Sequence, residues 1–315
     1  MRVLAQNQLE ARAVDILTAT ARGARERAAR EKETREREAR ERENVERQRA
    51  LIDTQRAFDG VASRYDRSNA ANPILCAMRK RSRDTLDRFL EPGSRVLDLG
   101  CGPGTDDVPL GQSGHEITAI DWSPLMVEAA RHRVREAGLD EKVRIEHLGI
   151  HQLDQLAPDL FDAAYSSFGA LNCVPDLPEA ARTIADRLRP GGLLVASAIG
   201  RVCPWEIALY AARGAWSRAR LRFSRHQVAV PLEGRTVWTR YYAPREFARA
   251  FRSAGFAVVS LRGLGLVTPP PYLEAFAERH PALVGRLQRV DDLVGGWPVL
   301  RSWGDHFLIV LRKRR

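Results

Sequence analysis

The stretch Arg95-Val-Leu-Asp-Leu-Gly-Cys-Gly-Pro-Gly104, which continues into Thr105-Asp106, decides the fold of this chain. Residues 96–99 are an apolar run of strand length, interrupted by one acid, and three glycines follow within five residues. A short buried strand that enters a glycine-rich turn and then a helix is how an α/β sheet brings bare backbone to a ligand. Thr105 or Asp106 can cap the following helix through its side-chain oxygen.

The acid inside this strand, Asp98, separates two kinds of nucleotide site. A buried carboxylate is costly unless it is paired or hydrogen-bonded, so its presence calls for a partner. A dinucleotide site of the G-x-G-x-x-G type would need its third glycine at position 105, which is Thr, and it does not need this acid. A generic tight turn of an α/β protein is the alternative interpretation. The motifs that follow this stretch along the chain stand in the expected order and argue against it.

A second acid closes the next predicted strand. Residues Glu116-Ile-Thr-Ala-Ile-Asp121 are typical of a strand, and Asp121 follows Asp98 by 23 residues, about the separation expected for an acid that binds ribose hydroxyls. A carboxylate suits this task because it can accept from both the 2′ and 3′ hydroxyl groups. Ser123-Pro124 then begins a helix, with Ser as N-cap and Pro in the first helical position.

These segments resemble the class I S-adenosylmethionine-dependent methyltransferases. Residues 95–104 match the family's first motif, an apolar run, an acid, one residue and Gly-x-Gly-x-Gly, and Asp121-Trp-Ser-Pro-Leu-Met126 matches its D-x-S-x-x-M motif. The resemblance implies that the loop holds the methionine portion of the cofactor, with Asp98 near its amino group. The cofactor residues predicted in the two motifs are Asp98, Gly100, Cys101, Gly102, Gly104 and Asp121, with Trp122 and Met126 flanking the adenine. Met126 as simple core is the alternative, and Cys101, between two glycines, is interpreted as a small tolerated side chain rather than a nucleophile.

A segment before the core carries a further resemblance. Ala57-Phe-Asp-Gly-Val-Ala-Ser-Arg-Tyr-Asp66 is similar to the F-D-x-x-A-x-x-Y-D segment of many small-molecule and lipid-quinone methyltransferases. In those families it caps the cofactor pocket, which implies that Tyr65 approaches the carboxylate of the cofactor. Alternatively, Phe58, Val61 and Tyr65 are one helical face that packs on the core.

The adenine end departs from the family pattern. An Asp often follows the third strand, here residues 143–148, but Gly149 occupies that position and Ile150 follows it. Backbone contacts from Gly149 and Ile150 are therefore predicted, with His151 or Asp154 as possible substitutes.

The fourth strand leads to the predicted meeting place of cofactor and acceptor. Residues 161–172, Phe-Asp-Ala-Ala-Tyr-Ser-Ser-Phe-Gly-Ala-Leu-Asn, resemble the family's F-D-x-x-x-S motif. Ligands of a doubly wound sheet lie at the carboxyl ends of its strands. We therefore predict a cofactor contact from Ser166 and acceptor contacts from Ser167, Phe168 and Asn172. Leu188-Arg-Pro-Gly-Gly192 is similar to the family's L-x-P-G-G junction and predicts a tight turn into the next strand.

Residues 200–240 predict a helical lid on the acceptor side, because aromatic and basic residues mix there at partly helical spacing. An ordinary amphipathic helix that closes the core is the alternative, and a basic amphipathic helix also suits a peripheral membrane contact. Trp205 is predicted to contact the acceptor. If that acceptor is a hydroxyl, a base helps, and the candidates are His306, Tyr241 and Glu206.

Pro269-Pro-Pro-Tyr272 resembles the N-P-P-Y loop of nucleic-acid amino-methyltransferases, but it follows the sixth strand rather than the fourth, so we interpret it as a rigid turn.

Composition limits the other classes. The chain has 315 residues and a net charge of +10, which permits nucleic acid as a partner without favouring it. No apolar run approaches transmembrane length and the amino-terminus lacks a signal-peptide core. The four cysteines are scattered with no C-x-x-C pair, which predicts reduced thiols in a cytoplasmic protein and no zinc site. No divalent-metal cluster is visible, so no metal is predicted.

The domain prediction has three parts. Residues 1–50 are a charged helical or mobile extension, residues 51–90 a helical cap, and residues 91–315 the methyltransferase domain, with insertions at about 200–240 and 268–304. The resemblance implies a Rossmann-like, doubly wound α/β sheet of seven strands with the last strand antiparallel. It also implies methyl transfer from S-adenosylmethionine, for which we favour a small-molecule or lipid-like acceptor. The alternatives are an RNA methyltransferase, for which the charge and the basic arm argue, and a non-catalytic cofactor-binding scaffold.

Overall fold

The computed structural model describes residues 32–65 and 72–315. The chain divides into two units, Met1–Arg49 and Ala50–Arg315. In the first unit, residues 32–49 are helical and carry exposed ion pairs four residues apart, such as Arg37–Glu41 at 3.0 Å and Glu43–Arg47 at 2.9 Å. Such pairs each stabilise a helix by only about 0.2–0.5 kcal/mol. The prediction for residues 1–31, and the place of Asp66 in its motif, lie outside the described residues.

A seven-stranded sheet forms the core of the second unit, in the order β3-β2-β1-β4-β5-β9-β8. Strands β1 to β5 are parallel, and β9 runs antiparallel to both β5 and β8. The predicted seven-stranded α/β fold with an antiparallel strand is therefore confirmed. The strands are β1 Arg95–Leu99, β2 Glu116–Asp121, β3 Val143–His147, β4 Phe161–Ser166, β5 Leu188–Ile199, β6 Val228–Leu232, β7 Arg235–Thr239, β8 Phe256–Leu264 and β9 His306–Lys313.

Helices cover both faces of this sheet. One apolar core joins the sheet to α5 and α8, and the other joins it to α2, α3, α4, α9 and α10. The helices of the second unit are α1 at residues 50–65, then α2 Pro73–Asp87, α3 Asp107–Gln112, α4 Pro124–Glu136, α5 Leu177–Asp186, α6 Pro204–Ala212, α7 Trp216–Ala219, α8 Pro244–Ser253, α9 Glu274–Arg279 and α10 Pro281–Val294. Within the described ranges, no helix combines the length and the apolar character needed to cross a membrane.

Two local predictions differ from the structure. The segment 200–240 is helical only in its first half, because β6 and β7 pair as an antiparallel hairpin in a separate two-stranded sheet. The Leu188–Gly192 turn belongs to β5 itself, where the pairing with β4 has an irregular register between Phe161 and Ala163. Gly191, at φ +82°, supplies the backbone conformation that this irregularity needs.

Candidate active site

One cavity of about 320 Å³ lies at the carboxyl ends of β1, β2 and β4. The first turns after these strands form its floor, and α1 and the hairpin contribute the rest of its lining. Its volume is in the range of small-molecule sites in proteins. The predicted residues that line it are Tyr65, Asp98, Gly100, Cys101, Gly102, Asp121, Trp122, Met126, Ile150, Ser167 and Phe168.

The glycine loop is held tightly on one side and open on the other. The backbone N–H groups of Gly100 and Cys101 both donate to the carbonyl of Ile120, at 2.9 and 3.0 Å. Gly100 has φ +82°, and a Cβ there would lie 2.5 Å from the Cβ of Ala170. Gly102 has φ +57°, and a Cβ there would meet nothing within 4 Å. The loop therefore packs against Ala170 at its start and leaves open space beside Gly102.

Asp121 clamps this loop to the end of β2. Its two carboxylate oxygens accept from the backbone N–H of Gly102 at 2.9 Å and of Ser123 at 2.8 Å. Burial raises the pKa of Asp121, while these two hydrogen bonds act in the opposite direction. A carboxylate offers about four lone-pair sites, so Asp121 keeps acceptor capacity for hydroxyl groups in the cavity.

Aromatic and imidazole rings form the adenine end. The Trp122 ring stacks on His147 at 5.7 Å and meets His151 edge-on at 4.8 Å, and its Nε1 is buried without a partner among the described residues. Burial lowers the pKa of His151, so its ring is neutral at neutral pH. Gly149 does not line the cavity; a Cβ there would lie 2.3 Å from the His151 ring, so glycine makes room for that ring. Ile150 and His151 line the cavity in its place.

Two buried carboxyl groups stand together below the glycine loop. Asp98 is 2% exposed and Asp107, in the first turn of α3, is fully buried. Burial raises the pKa of Asp98 well above its usual range, and the nearby Asp107 and Asp106 carboxylates raise it further. Burial likewise raises the pKa of Asp107 to about 7, opposed by a hydrogen bond with Asp98. No N–H or O–H group of the described residues reaches Oδ1 of Asp98 or either carboxylate oxygen of Asp107, so burial favours protonation of this pair.

Arg79 of α2 completes this side of the cavity. Its guanidinium donates to Oδ2 of Asp106 at 2.7 Å, and Arg83 donates to Oδ1 of the same carboxylate at 2.5 Å. Burial alone would lower the pKa of Arg79, but the Asp106 carboxylate together with Tyr65 and Tyr165 raises that pKa above its usual value. The guanidinium also lies 4.5 Å above the centre of the Phe168 ring, a cation–π contact. Arg79 is thus a fixed positive charge in the cavity wall, close to Tyr65.

The hairpin and α1 are fastened to each other across the cavity. The Trp238 backbone N–H donates to Oγ1 of Thr54 at 3.1 Å, and its indole Nε1 donates to Asp53 at 3.2 Å. Arg64 and Glu233 form an ion pair at the hairpin turn. Most of the side chains that the two elements turn to the cavity are apolar: Leu51, Phe58, Val230, Leu232 and Val237.

Besides Gly149 and the three catalytic candidates, four predicted site residues lie outside the cavity lining for identifiable reasons. Ser166 donates to the carbonyl of Leu99 at 3.1 Å and ties β4 to β1. Asn172 is fully buried, and its amide accepts from Ile199 N–H and donates to the carbonyls of Ile199 and Arg240. Trp205 donates from Nε1 to the carbonyl of Val267 at 2.8 Å. A Cβ at Gly104 would meet Ala130 of α4 at 3.2 Å, so this glycine serves helix packing.

The three predicted catalytic groups belong to one buried network behind Phe168. Nδ1 of His306 lies 2.8 Å from Oδ2 of Asp305, and its ring meets Phe168 edge-on at 5.5 Å. The Arg222 guanidinium pairs with Glu206 at 2.5 Å and with Asp305 at 2.7 Å, and Tyr241 lies under it. Arg222 and His306 overcome burial and lower the pKa of Asp305. Glu206 and Tyr241 therefore serve this network rather than the cavity, and His306 alone contacts a cavity residue.

The same network includes a cluster of possible metal ligands, Cys203, Glu206 and Asp305, whose ligand atoms lie within 4.8 Å of one another. Arg222 already neutralises both carboxylates in this cluster. We therefore attribute the cluster to packing of the insertion.

The cavity fits S-adenosylmethionine on two structural observations. The open space beside Gly102 admits a ligand against bare backbone, and Oδ1 of Asp98 awaits a donor such as an ammonium group. Asp98 would hold the amino group, Arg79 and Tyr65 the carboxylate, and Asp121 the ribose hydroxyls.

Cofactor binding should therefore release a proton. The ammonium favours the ionised form of the Asp98–Asp107 pair, whose pKa is raised in the free protein, so affinity rises with pH until the pair is already ionised. We expect the affinity for S-adenosylhomocysteine to rise several-fold between pH 6 and pH 8, because burial raises the pKa of Asp98 well above its usual range and that of Asp107 to about 7. Titration calorimetry in buffers of different ionisation enthalpy measures the released proton.

Asp107→Asn should remove this linkage, because the amide N–H donates to Asp98 and keeps it ionised across that range. Tyr165, which also faces the pair, has a pKa raised well above its usual value by burial and stays protonated. The exposed Asp140→Asn serves as the control. Equal pH slopes for the wild type and Asp107→Asn would contradict this role of the Asp98–Asp107 pair, and the comparison cancels titration of the ligand's own amine.

Comparisons with known proteins identify the family of this chain. A family model described as a methyltransferase domain matches residues 75–261. The ubiquinone biosynthesis O-methyltransferase of Xanthomonas axonopodis pv. citri (strain 306) is 31% identical over 214 residues, which cover 66% of this chain and 81% of that protein. A SAM-dependent methyltransferase from Methanosarcina mazei has a TM-score of 0.52 at 19% identity, covering 73% of this chain and 97% of that one. The [4+2]-cyclase SpnF has a TM-score of 0.51 at 20% identity, covering 75% and 80%. At these identities the two structures establish the fold alone.

Proposed function

The chain belongs to the class I S-adenosylmethionine-dependent methyltransferases, and from that premise we propose that it methylates a phenolic hydroxyl group on a small, lipid-like aromatic acceptor. S-adenosylmethionine is its cofactor and methyl transfer its reaction. The acceptor class and a cytoplasmic location are both parts of this proposal.

The apolar lining contributed by α1 and the hairpin carries the proposal. Phe58, Val230 and Leu232 line the same cavity as the glycine loop, so an aromatic or aliphatic acceptor could be buried beside the cofactor. Burial of apolar area stabilises binding by about 25 cal/mol per Å². The name of the Xanthomonas relative, which specifies O-methylation in ubiquinone biosynthesis, supports an oxygen acceptor and a lipid-like ring.

The chemistry asks the protein mainly for alignment. S-adenosylmethionine supplies a methyl group already activated on a sulfonium. The residues of this chain hold the two partners in line and exclude water from the cavity. Asp98, Asp121 and Arg79 orient the cofactor end, and the pinned hairpin covers the acceptor end.

We propose His306 as the base that takes the phenolic proton. The His306 ring contacts Phe168, a residue of the cavity wall, and its Nδ1 lies 2.8 Å from Oδ2 of Asp305. His306→Gln should lower kcat by about 10²-fold, the lower end of the usual contribution of general-base catalysis, and should leave KM unchanged. The exposed His226→Gln is the matched control, and an unchanged kcat in His306→Gln would remove His306 from the reaction.

Transfer of a labelled methyl group tests the function. The protein is incubated with labelled S-adenosylmethionine and separate panels of alkyl-substituted catechols, matched panels lacking the hydroxyl, and total RNA, and products are identified by mass. Label on the catechol oxygen supports the proposal. Label in RNA favours the alternative that the +10 charge suggests, and S-adenosylhomocysteine binding with no product in any panel favours a scaffold. Either result overturns the proposal.

A further inference from the structure

Helix α10 carries an unusual outward face. Its inner side is anchored, because Val284 is buried and the Asp291 carboxylate accepts from the backbone N–H groups of Val267 and Thr268. The outer side exposes Leu283, Val290 and Leu293, the last of them 74% exposed. Positions 283, 290 and 293 lie on one side of a helix with 3.6 residues per turn. An apolar stripe that faces outward contributes nothing to core packing, and contiguous exposed apolar patches mark interaction sites.

The segment after α10 continues this exposure. Trp297, Val299 and Trp303 are all exposed, Val299 by 65%. Val299 also has φ +70°, a conformation that a β-branched residue adopts only under strain. Backbone strain of this kind concentrates at binding sites and other functional segments. The strained turn displays an apolar side chain between two tryptophans instead of burying it.

Arginines surround these apolar groups. Arg286 lies on the outer side of α10, and Arg289 lies at its edge, beside the groove between α10 and α2. Arg279 and Arg301 lie just before and after α10, and all four arginines are exposed. Within the part of the chain that the structure describes, none of the four has a carboxylate partner. We define the α10 surface by these four arginines together with Leu283, Val290, Leu293, Trp297, Val299 and Trp303.

We propose that the α10 surface docks on an anionic lipid bilayer. Aliphatic side chains and tryptophan rings suit the boundary between headgroups and acyl chains, while arginines reach lipid phosphates. The surface is a projecting helix face, which a soft bilayer accommodates without a matching groove. The proposal is independent of the identity of the methyl acceptor.

Two other occupants fit less well. A second copy of this chain would pair the surface with itself in a two-fold dimer, which brings unpaired arginines against arginines and is repulsive. RNA would use the arginines but would leave Leu283, Val290 and Leu293 without apolar contacts, since phosphate contacts dominate such interfaces. Charge together with apolar character therefore favours lipid.

Co-sedimentation of the full chain with vesicles tests the proposal. The probes are vesicles of phosphatidylcholine alone and of phosphatidylcholine with phosphatidylglycerol. We expect binding to the anionic vesicles that weakens as salt rises. Arg286→Gln with Arg289→Gln should weaken it about 25-fold, since each juxtamembrane arginine contributes about fivefold. Leu293→Ser with Trp297→Ser should abolish the binding that persists at high salt.

The matched control removes two equally exposed arginines from the opposite face of the sheet, Arg182→Gln on α5 with Arg249→Gln on α8. It should bind within about twofold of the wild type. No sedimentation with anionic vesicles, equal binding to neutral vesicles, or equal loss in the control overturns the proposal. A dimer in analytical ultracentrifugation that the α10 variants dissociate would assign the surface to a second copy and overturn it as well.

Discussion

Asp121→Ala is expected to lower the affinity for S-adenosylhomocysteine by about 10³-fold, the combined effect of two hydrogen bonds to a charged acceptor. The same change frees the backbone N–H groups of Gly102 and Ser123, which Asp121 now holds at 2.9 and 2.8 Å. The glycine loop then loses its attachment to β2, which weakens the cofactor site a second time. The fold should remain, because both loop N–H groups lie beside a cavity that water can enter.

Titration calorimetry measures the affinity, and the melting temperature checks the fold. Asp121→Asn should fall between the alanine variant and the wild type, because its amide oxygen still accepts one backbone N–H group. Asp140→Ala, an exposed acid outside the cavity lining, is the matched control and should bind normally. Unchanged affinity in Asp121→Ala would remove this carboxylate from the site.

Arg79→Met is expected to lower the free energy of unfolding by about 3 kcal/mol, the cost of leaving a buried carboxylate without its main partner. Asp106 is 3% exposed and would keep only Arg83. The loss of Arg79 also removes the positive charge proposed to bind the cofactor carboxylate. Stability and affinity should therefore fall together.

A double-mutant cycle separates the two effects. Adding Asp106→Asn to Arg79→Met removes the stranded charge, so stability should largely return while affinity stays low. The exposed Arg88→Met is the control for loss of an α2-end arginine. If the double variant regains full affinity, Arg79 acts on Asp106 alone and not on the cofactor.

The local sequence predicted the glycine loop and the strand before it well, because their residues are contiguous in the chain. Apolar residues 96–99 must be a buried strand, and the glycines that follow can only be a turn of positive φ. Asp121 was identified for a similar reason, since its strand and its helix cap are adjacent in the chain. The structure places both acids at one cavity.

Contacts distant in sequence were not predictable in this way. The sequence of the helix that carries Arg79 is typical of any basic amphipathic helix. Asp106 is typical of an N-cap in the sequence, and only the structure shows that it lies 2.7 Å from Arg79. Asn172 looked like an acceptor contact because it follows a strand end. Its side-chain amide instead forms hydrogen bonds with the backbone of residues 199 and 240.

The sequence of the β6–β7 hairpin contains a strand pattern. The aromatic and basic residues of segment 200–240 led to a prediction of helices instead. Val228, Val230 and Leu232 alternate with period two, which favours a strand. Glu233 and Gly234 then both take positive φ, +47° and +79°, as the two-residue turn of a hairpin requires. Glu-Gly is a weaker turn signal than Asn-Gly, and Pro231 also argues against a central strand.

The hairpin shares no hydrogen-bonded ladder with the seven-stranded sheet. Insertions, deletions or substitutions in β6 and β7 would therefore leave the register of the main strands intact. Under the proposed function, such changes would alter the acceptor side of the cavity and leave the cofactor loops unchanged. Descendants of such a chain can exchange one class of acceptor for another by editing about a dozen residues.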